Sequence, residues 1–273
     1  MKKIGLALGA GGARGLAHII ILEAFEELGI KPHIISGTSI GAIVGAAYAS
    51  GMTTEEMKKS VEEIILSKDF KLSEFYKKYD VFKIIDMLDV SISKSGFFKG
   101  EKFISFYKQK IKTYKFSDLN IPIKIVATEY WDKKEHHFSK GNLVDAVRAS
   151  YSLPALFTPH KIKDKLFMDG GMVNPLPYDI IQNECDYVIA VDVSSKKGIN
   201  SNETPNALDS LFASFQIMQN SILKEKLKSS KPDFLLEIDI PDVRLFEFNK
   251  VKTIWENADK QKKILKRELK KLI

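Results

Sequence analysis

The sequence predicts an α/β protein built on a mainly parallel central sheet. Three observations predict it. The first fifty residues run strand, helix, strand, helix, and a strand followed by a crossover helix implies parallel pairing. The later strand-like runs alternate with long helical ones. No Pro/Gly/Ser-rich linker and no internal repeat divides the chain, so residues 1–273 read as a single domain.

"KIGLAL" is a short strand of the buried type. "GLAHIIILEAFEEL" has helical apolar spacing and stops at Gly29. "HIIS" is a second strand, and "IGAIVGAAYAS" a second helix closed by Gly51. Glycine at these two stops suits the left-handed turn that ends helices. Further strands fall on "IPIKIVATEY", "KEHHFS", "DYVIAVDV" and "DFLLEIDI". The stretch "IVATEYWDKKEHHF" reads as a hairpin and adds an antiparallel element. Long helices fit "ALDSLFASFQIMQNSILKEKLKS" and "VKTIWENADKQKKILKREL".

Residues 66–115 break this rhythm with short helical pieces rich in aromatics: Phe70, Phe75, Tyr76, Tyr79, Phe82, Phe97, Phe98, Phe103, Phe106 and Tyr107. With lysines interleaved they suit a cap over an apolar substrate site or a membrane-facing surface. Ordinary core helices are the other reading.

The bulk numbers fit a soluble globular protein with a sizeable core: 44% hydrophobic and 28% charged over 273 residues. One cysteine, Cys185, excludes an internal disulfide and fits a reducing compartment. It is expected to be a small core residue. The net charge of +7 is uneven. Residues 58–115 hold 14 Lys against 8 acids, and residues 250–271 hold 9 Lys and Arg against 3 acids. Such runs are either solvated helix faces or contacts for an anionic membrane surface; no nucleic-acid partner is expected. "MKKIGLALGAGGA" resembles a short secretory signal, yet its glycines and Arg14 favour mature structure. No apolar run approaches the roughly 20 residues of a spanning helix. The expected location is cytoplasmic, with room for peripheral membrane contact.

Two motifs carry chemistry. The first is "GAGGARG": Gly9, Ala10, Gly11, Gly12, Ala13, Arg14, Gly15. A dinucleotide fingerprint would need glycine where Arg14 stands and an acid at the end of the second strand, and both are missing. No Gly-Lys-Ser/Thr closes a phosphate loop. Glycines do let backbone N–H groups converge into an oxyanion hole at a helix N-terminus, with Arg14 holding the loop or helping the developing charge. The second motif is Gly37-Thr38-Ser39-Ile40-Gly41, between a strand and a small-residue helix. That is the setting of a nucleophile elbow, with Ser39 at a helix N-terminus.

A serine nucleophile ordinarily hands its proton to a histidine. Of the five, His33 opens its strand, roughly 20 Å from the strand's end. His18 lies a helical turn after Arg14 and reads as a packed or capping side chain. His136 and His137 are adjacent in a strand and face opposite sides. His160 precedes a lysine-rich hairpin, and none has an acid partner evident in the sequence. Beyond that hairpin, Asp169 ends an apolar strand and is followed by Gly170 and Gly171. It is either a turn aspartate or the base itself, its carboxyl raised by burial.

"GAGGARG", "GTSIGA" and "DGG", in that order, together with "VRASYSLPALFTPHKIKDKLFMDGGMVNPLP", resemble the patatin-like phospholipases over about residues 3–193. The resemblance implies a three-layer α/β/α sandwich and a serine acyl hydrolase with a Ser–Asp dyad. It implies Ser39 as nucleophile, Asp169 as base, and Gly11, Gly12, Ala13 and Arg14 as the oxyanion loop. The substrate implied is a lipid or other acyl ester. Gly9, Gly15, Gly37, Gly41, Gly170 and Gly171 complete the motifs. One departure is Ala10, where the family's loop begins with glycine. No cofactor or metal is expected, since no His/Cys/Asp cluster has ligand spacing. Two other readings stay open: a nucleotide-binding regulator using the glycine loop, and a lipid-binding scaffold without turnover.

Overall fold

The computed structural model describes residues 2–66, 101–194, 204–205 and 207–273. The part of the predicted aromatic segment that holds Phe70 to Phe98 lies outside the described residues. In chain order the elements are β1 (Ile4–Leu8), α1 (Ala17–Glu27), β2 (Ile34–Thr38), α2 (Ile40–Ala49), α3 (Thr54–Leu66) and α4 (Glu101–Lys110). There follow β3 (Ile123–Glu129), β4 (Lys134–Phe138), α5 (Leu143–Ser150), β5 (His160–Ile162) and β6 (Lys165–Asp169). The chain continues with β7 (Tyr187–Asp192), α6 (Ala207–Ser229), β8 (Phe234–Glu237) and α7 (Val251–Leu269).

The strands form one mixed sheet in the order β5-β6-β3-β2-β1-β7-β8, with β4 also on β3. Strands β3, β2, β1, β7 and β8 run parallel, and β4, β5 and β6 are antiparallel additions. Helices cover both faces, as the α/β expectation required. Side chains alternate along each strand. Leu6, Leu8, Ile35, Ile189 and Val191 pack with α1, α2, α5 and α7. Ala7, Ile34, Val188 and Ala190 pack on the opposite face with Tyr178, Ile181 and Leu223 of α6. This burial on two faces is why the parallel strands read as continuous apolar runs.

The sheet's register brings two distant strand ends together. At β3, Ala127 pairs with His136 of β4 and also with Asp169 of β6, so those strands lie on opposite edges. β4 also pairs with Ile125 and Val126, while β2 pairs with Ile123 to Val126. Hence β2 and β6 share one edge of β3 and meet end to end. Thr38 pairs with Val126, and Asp169 with the next residue, Ala127. Two strands of opposite direction thus stop against each other, at the C-terminal ends where open α/β sheets place their sites.

Helices α3 and α5 were not among the elements predicted. α5 is eight residues long, too short for periodicity to show, and is capped by Asn142, whose side chain accepts from the Asp145 N–H at 3.1 Å. In the described part of the aromatic segment, α4 lays one face on the core. Tyr107 is buried and donates to the Ile43 carbonyl at 2.9 Å, and Phe103 packs edge-on against Tyr151. Ion pairs engage much of the described basic surface. Lys262 and Lys266 of α7 reach Glu23 and Glu27 of α1, and Lys58 reaches Glu23. Two lysines of the C-terminal basic run, Lys262 and Lys266, are therefore matched against α1. Among the described residues no helix is long and apolar enough to cross a membrane. Cys185 is half-buried against Gly5, its thiol pushed up to about 11 by burial.

Candidate active site

Ser39 sits between β2 and α2 with φ 55° and ψ −119°, a left-handed conformation rare outside glycine. Strain of this kind persists only where the surroundings fix it. Here the Ser39 N–H donates to Ser150 Oγ at 2.9 Å, and the Ser39 carbonyl accepts from Ala42 and Ile43. Close backbone approach does the rest. A Cβ on Gly41 would sit 2.1 Å from the Leu8 carbonyl oxygen, and one on Gly15 2.1 Å from Ile40 Cγ2. The elbow and the glycine loop are therefore seated on each other. Gly41→Ala is expected to destabilise the fold by about 1–3 kcal/mol through overpacking, measurable as a lower denaturant midpoint.

The Ser39 hydroxyl donates to Asp169 Oδ2 at 2.6 Å. Asp169 is 3% exposed, and its other oxygen, Oδ1, accepts the Gly171 N–H at 2.7 Å. Its backbone is pinned as well: the N–H donates to the Ser152 carbonyl at 3.0 Å, and the carbonyl accepts from Thr128 Oγ1 at 2.7 Å. Burial pushes the carboxyl up to about 6, against the downward pull of the Ser39 and Gly171 hydrogen bonds. A turn aspartate in water would show none of this.

Ser150 has no counterpart in the sequence reading. It lies within "VRASYS", fully buried, accepting the Ser39 N–H and donating to the Val126 carbonyl at 2.6 Å. Val126 stands at the junction where β2 gives way to β6. A hydroxyl that joins the elbow to that junction holds the two strand ends in register.

The glycine loop departs from expectation in two places. Gly9 and Ala10 donate to the carbonyls of Val191 and Pro175, and the Ala13 N–H donates to the Leu245 carbonyl at 2.7 Å. Ala13 is thus occupied and is no free oxyanion donor. The Arg14 guanidinium is buried and turned to the carbonyls of Val193 and Val243, at 3.1 and 2.9 Å, so it holds the loop rather than facing charge at Ser39. Burial also lowers it to about 10. Gly11 and Gly12 donate their N–H groups to no acceptor among the described residues. A Cβ on Gly11 would meet Val193, and one on Gly12 would meet Leu245. Protein therefore fills the space beside both glycines that a dinucleotide loop would leave open.

No described histidine hydrogen-bonds to Ser39. His18 is buried, donates through Nε2 to the Gly9 carbonyl at 2.8 Å, and is held neutral by burial, which lowers it to about 4. His136 packs among Phe138 and Phe167, and His137 lies exposed on Glu135, on opposite faces as the spacing required. His160 has an acid partner that the sequence did not reveal, Asp145 at 3.3 Å. Among the described residues no group of three His, Cys, Asp or Glu could hold a metal ion.

Asn174, two positions past Met172, anchors the chain after Asp169. Its carbonyl accepts from Thr38 Oγ1 at 2.8 Å, and its side-chain oxygen accepts from Lys226 of α6 at 2.7 Å. Lys226 also pairs with Asp179.

A serine on a strand–turn–helix elbow thus holds its hydroxyl on a buried aspartate at the C-terminal ends of the strands of a mixed sheet with helices on both faces. The chain belongs to the patatin-like phospholipase family, whose model, "Patatin-like phospholipase", matches residues 6–181. An uncharacterized NTE family protein of Mycobacterium tuberculosis is 33% identical over 206 residues, covering 75% of this chain and 53% of that protein. Patatin-like phospholipase domain-containing protein 6 of Homo sapiens is 34% identical over 199 residues, covering 71% of this chain and 13% of that protein. The chain thus spans about half the length of the mycobacterial relative and a small part of the human one. Among solved structures, VipD from Legionella pneumophila shares the fold at TM-score 0.52 and 14% identity, over 98% of this chain and 67% of that one.

Proposed function

We propose that the protein is a serine acyl hydrolase of the lipase or phospholipase A type, cleaving fatty-acyl esters of lipids through a Ser39–Asp169 dyad. The observation that carries this reading is the 2.6 Å hydrogen bond from Ser39 Oγ to the buried carboxylate of Asp169. Family membership supports the same chemistry.

Ser39 Oγ attacks the acyl carbonyl while Asp169 takes its proton. The Gly11 and Gly12 N–H groups, together with the positive end of α2, receive the oxyanion. The alcohol leaves with the proton from Asp169, and an acyl-Ser39 ester remains. Asp169 then deprotonates a water molecule, which attacks that ester, and returns the proton to Ser39 Oγ as the fatty acid leaves. An aspartate at its ordinary pKa near 4 would be a poor partner for a hydroxyl, and the rise to about 6 narrows the mismatch. No histidine, metal or cofactor enters these steps.

The base works as the carboxylate, so protonation on the acid side removes activity. The kcat/KM profile is expected to fall about tenfold per pH unit below an apparent pKa of about 6. A soluble ester assayed from pH 4 to 9 measures it. An acid limb near 4 would mean an unperturbed carboxylate.

A further inference from the structure

Two hairpin tips leave the site end of the sheet with exposed groups that the chemistry at Ser39 does not use. The β3–β4 tip presents Trp131, 70% exposed, and Tyr130, 39% exposed, their rings edge to face with centroids 4.7 Å apart. This tip is rigid. Glu129 is buried, and its two carboxylate oxygens accept the N–H groups of Trp131 and Asp132 at 3.3 and 3.2 Å. The Tyr130 N–H donates to the Leu166 carbonyl at 2.8 Å. An indole is therefore held in water by a fixed turn rather than by a loose one.

The β5–β6 tip lies beside it, because Phe167 of β6 pairs with Glu129. Lys133, Lys161 and Lys163 on these tips are exposed and have no acidic partner among the described residues. Lys134 and Lys165 are matched to Asp132, at 2.7 and 3.7 Å, and Glu135 is engaged by His137 and Asn174. Asp164 is the remaining acid on the two tips. Three unmatched cations thus flank two exposed aromatic rings. The tips also stand on the correct side of the molecule. β3 runs toward them, and Trp131 lies four residues beyond Ala127, the partner of Asp169; at strand rise this is roughly 13 Å.

We propose that the β3–β4 tip, with Trp131 as anchor and Lys133, Lys161 and Lys163 as flanking cations, docks the protein on a lipid bilayer that carries anionic headgroups. Indole and phenol rings settle at the boundary between acyl chains and headgroups, and lysine heads remain in the headgroup layer. Docking there turns the Ser39 end of the sheet toward the acyl esters of the bilayer. The choice of a lipid partner rests on the acyl-hydrolase reading; the surface itself rests on the geometry of the tips.

The test is flotation with phosphatidylcholine vesicles, with and without phosphatidylglycerol, for the intact chain, for Trp131→Ala and for the triple variant Lys133→Glu, Lys161→Glu, Lys163→Glu. Trp131 and Trp255 are the only two tryptophans, so Trp255→Phe leaves Trp131 as the sole tryptophan. The expected results are a blue shift of its emission on phosphatidylglycerol vesicles and a loss of vesicle binding of at least about tenfold in Trp131→Ala. The triple variant loses the preference for anionic vesicles. Trp131→Ala retains hydrolysis of a soluble short-chain ester while hydrolysis of vesicle lipid falls. Unchanged vesicle binding in Trp131→Ala, or a soluble-ester loss equal to the vesicle loss, overturns the proposal. So does a dimer of the intact chain that Trp131→Ala dissolves without vesicles. Binding through Trp131 without any fatty-acid release would uphold the docking surface and remove the hydrolase reading instead.

Discussion

Alanine at position 39 is expected to abolish acyl-ester hydrolysis, by on the order of 10⁴-fold or more, in a protein that still folds. The turn does not depend on the hydroxyl. Ser150 holds the Ser39 N–H, and the close approach of Gly41 to Leu8 sets the backbone, both of which alanine keeps. What is lost is the nucleophile and one of the two hydrogen bonds on the Asp169 carboxylate. With only the Gly171 N–H left, that carboxyl rises further above about 6. Hydrolysis of a chromogenic ester, beside labelling by an alkyl fluorophosphonate, measures the effect. Both signals are expected to vanish in Ser39→Ala while the cooperative thermal transition remains.

Asparagine at position 169 is expected to lower kcat on the order of 10³-fold or more and, at the same time, to stabilise the fold. It keeps the shape and can still accept the Gly171 N–H, but it cannot take a proton. The stability effect follows from linkage. The buried carboxyl has its pKa raised to about 6, against about 4 in an unfolded chain. Its preference for the folded state is full below pH about 4 and is lost as pH rises through about 6. At pH 8 the buried charge costs roughly 2–3 kcal/mol, which Asp169→Asn removes. The variant should therefore melt above wild type at pH 8, and the difference should shrink toward pH 4. Thermal melts across that range check it. A lower melting temperature for Asp169→Asn at pH 8 would mean that the carboxylate stabilises the fold and is not held there against its solvation.

Much of the sheet was legible in the sequence because its strands are apolar on both faces and its helices are long. The strand–serine–helix elbow was legible because the residues that permit it, Gly37 and Gly41, flank Ser39 directly. The partnership with Asp169 was suggested by motif order, but its physical cause is register: β2 and β6 stop at consecutive residues of β3. Register between strands more than a hundred residues apart leaves no local trace. The same holds for Ser150, which is one small residue in a short helix until Val126 is seen at a strand junction. The engagement of the Ala13 N–H is hidden from the sequence for a similar reason. Leu245, which takes its N–H, comes from a loop after β8, and backbone-to-backbone contact carries no side-chain signature. Arg14 was read as either a clamp or a source of positive charge, and burial against Val193 and Val243 makes it a clamp. The basic C-terminal helix, suggestive of a lipid surface by charge alone, spends Lys262 and Lys266 on α1. The exposed Trp131 is, in the sequence, one aromatic within a hairpin, and nothing local marks its ring as left in water.

The central claim is that Ser39 and Asp169 together hydrolyse fatty-acyl esters. It is tested most directly by incubating a panel of phospholipids, lysophospholipids, glycerides and acyl thioesters with wild type, Ser39→Ala and Asp169→Asn, and measuring released fatty acid by mass. The predicted result is release from at least one ester class by wild type, absent in Ser39→Ala and reduced on the order of 10³-fold or more in Asp169→Asn. Undiminished release by either variant, or none by wild type from any substrate, would contradict it.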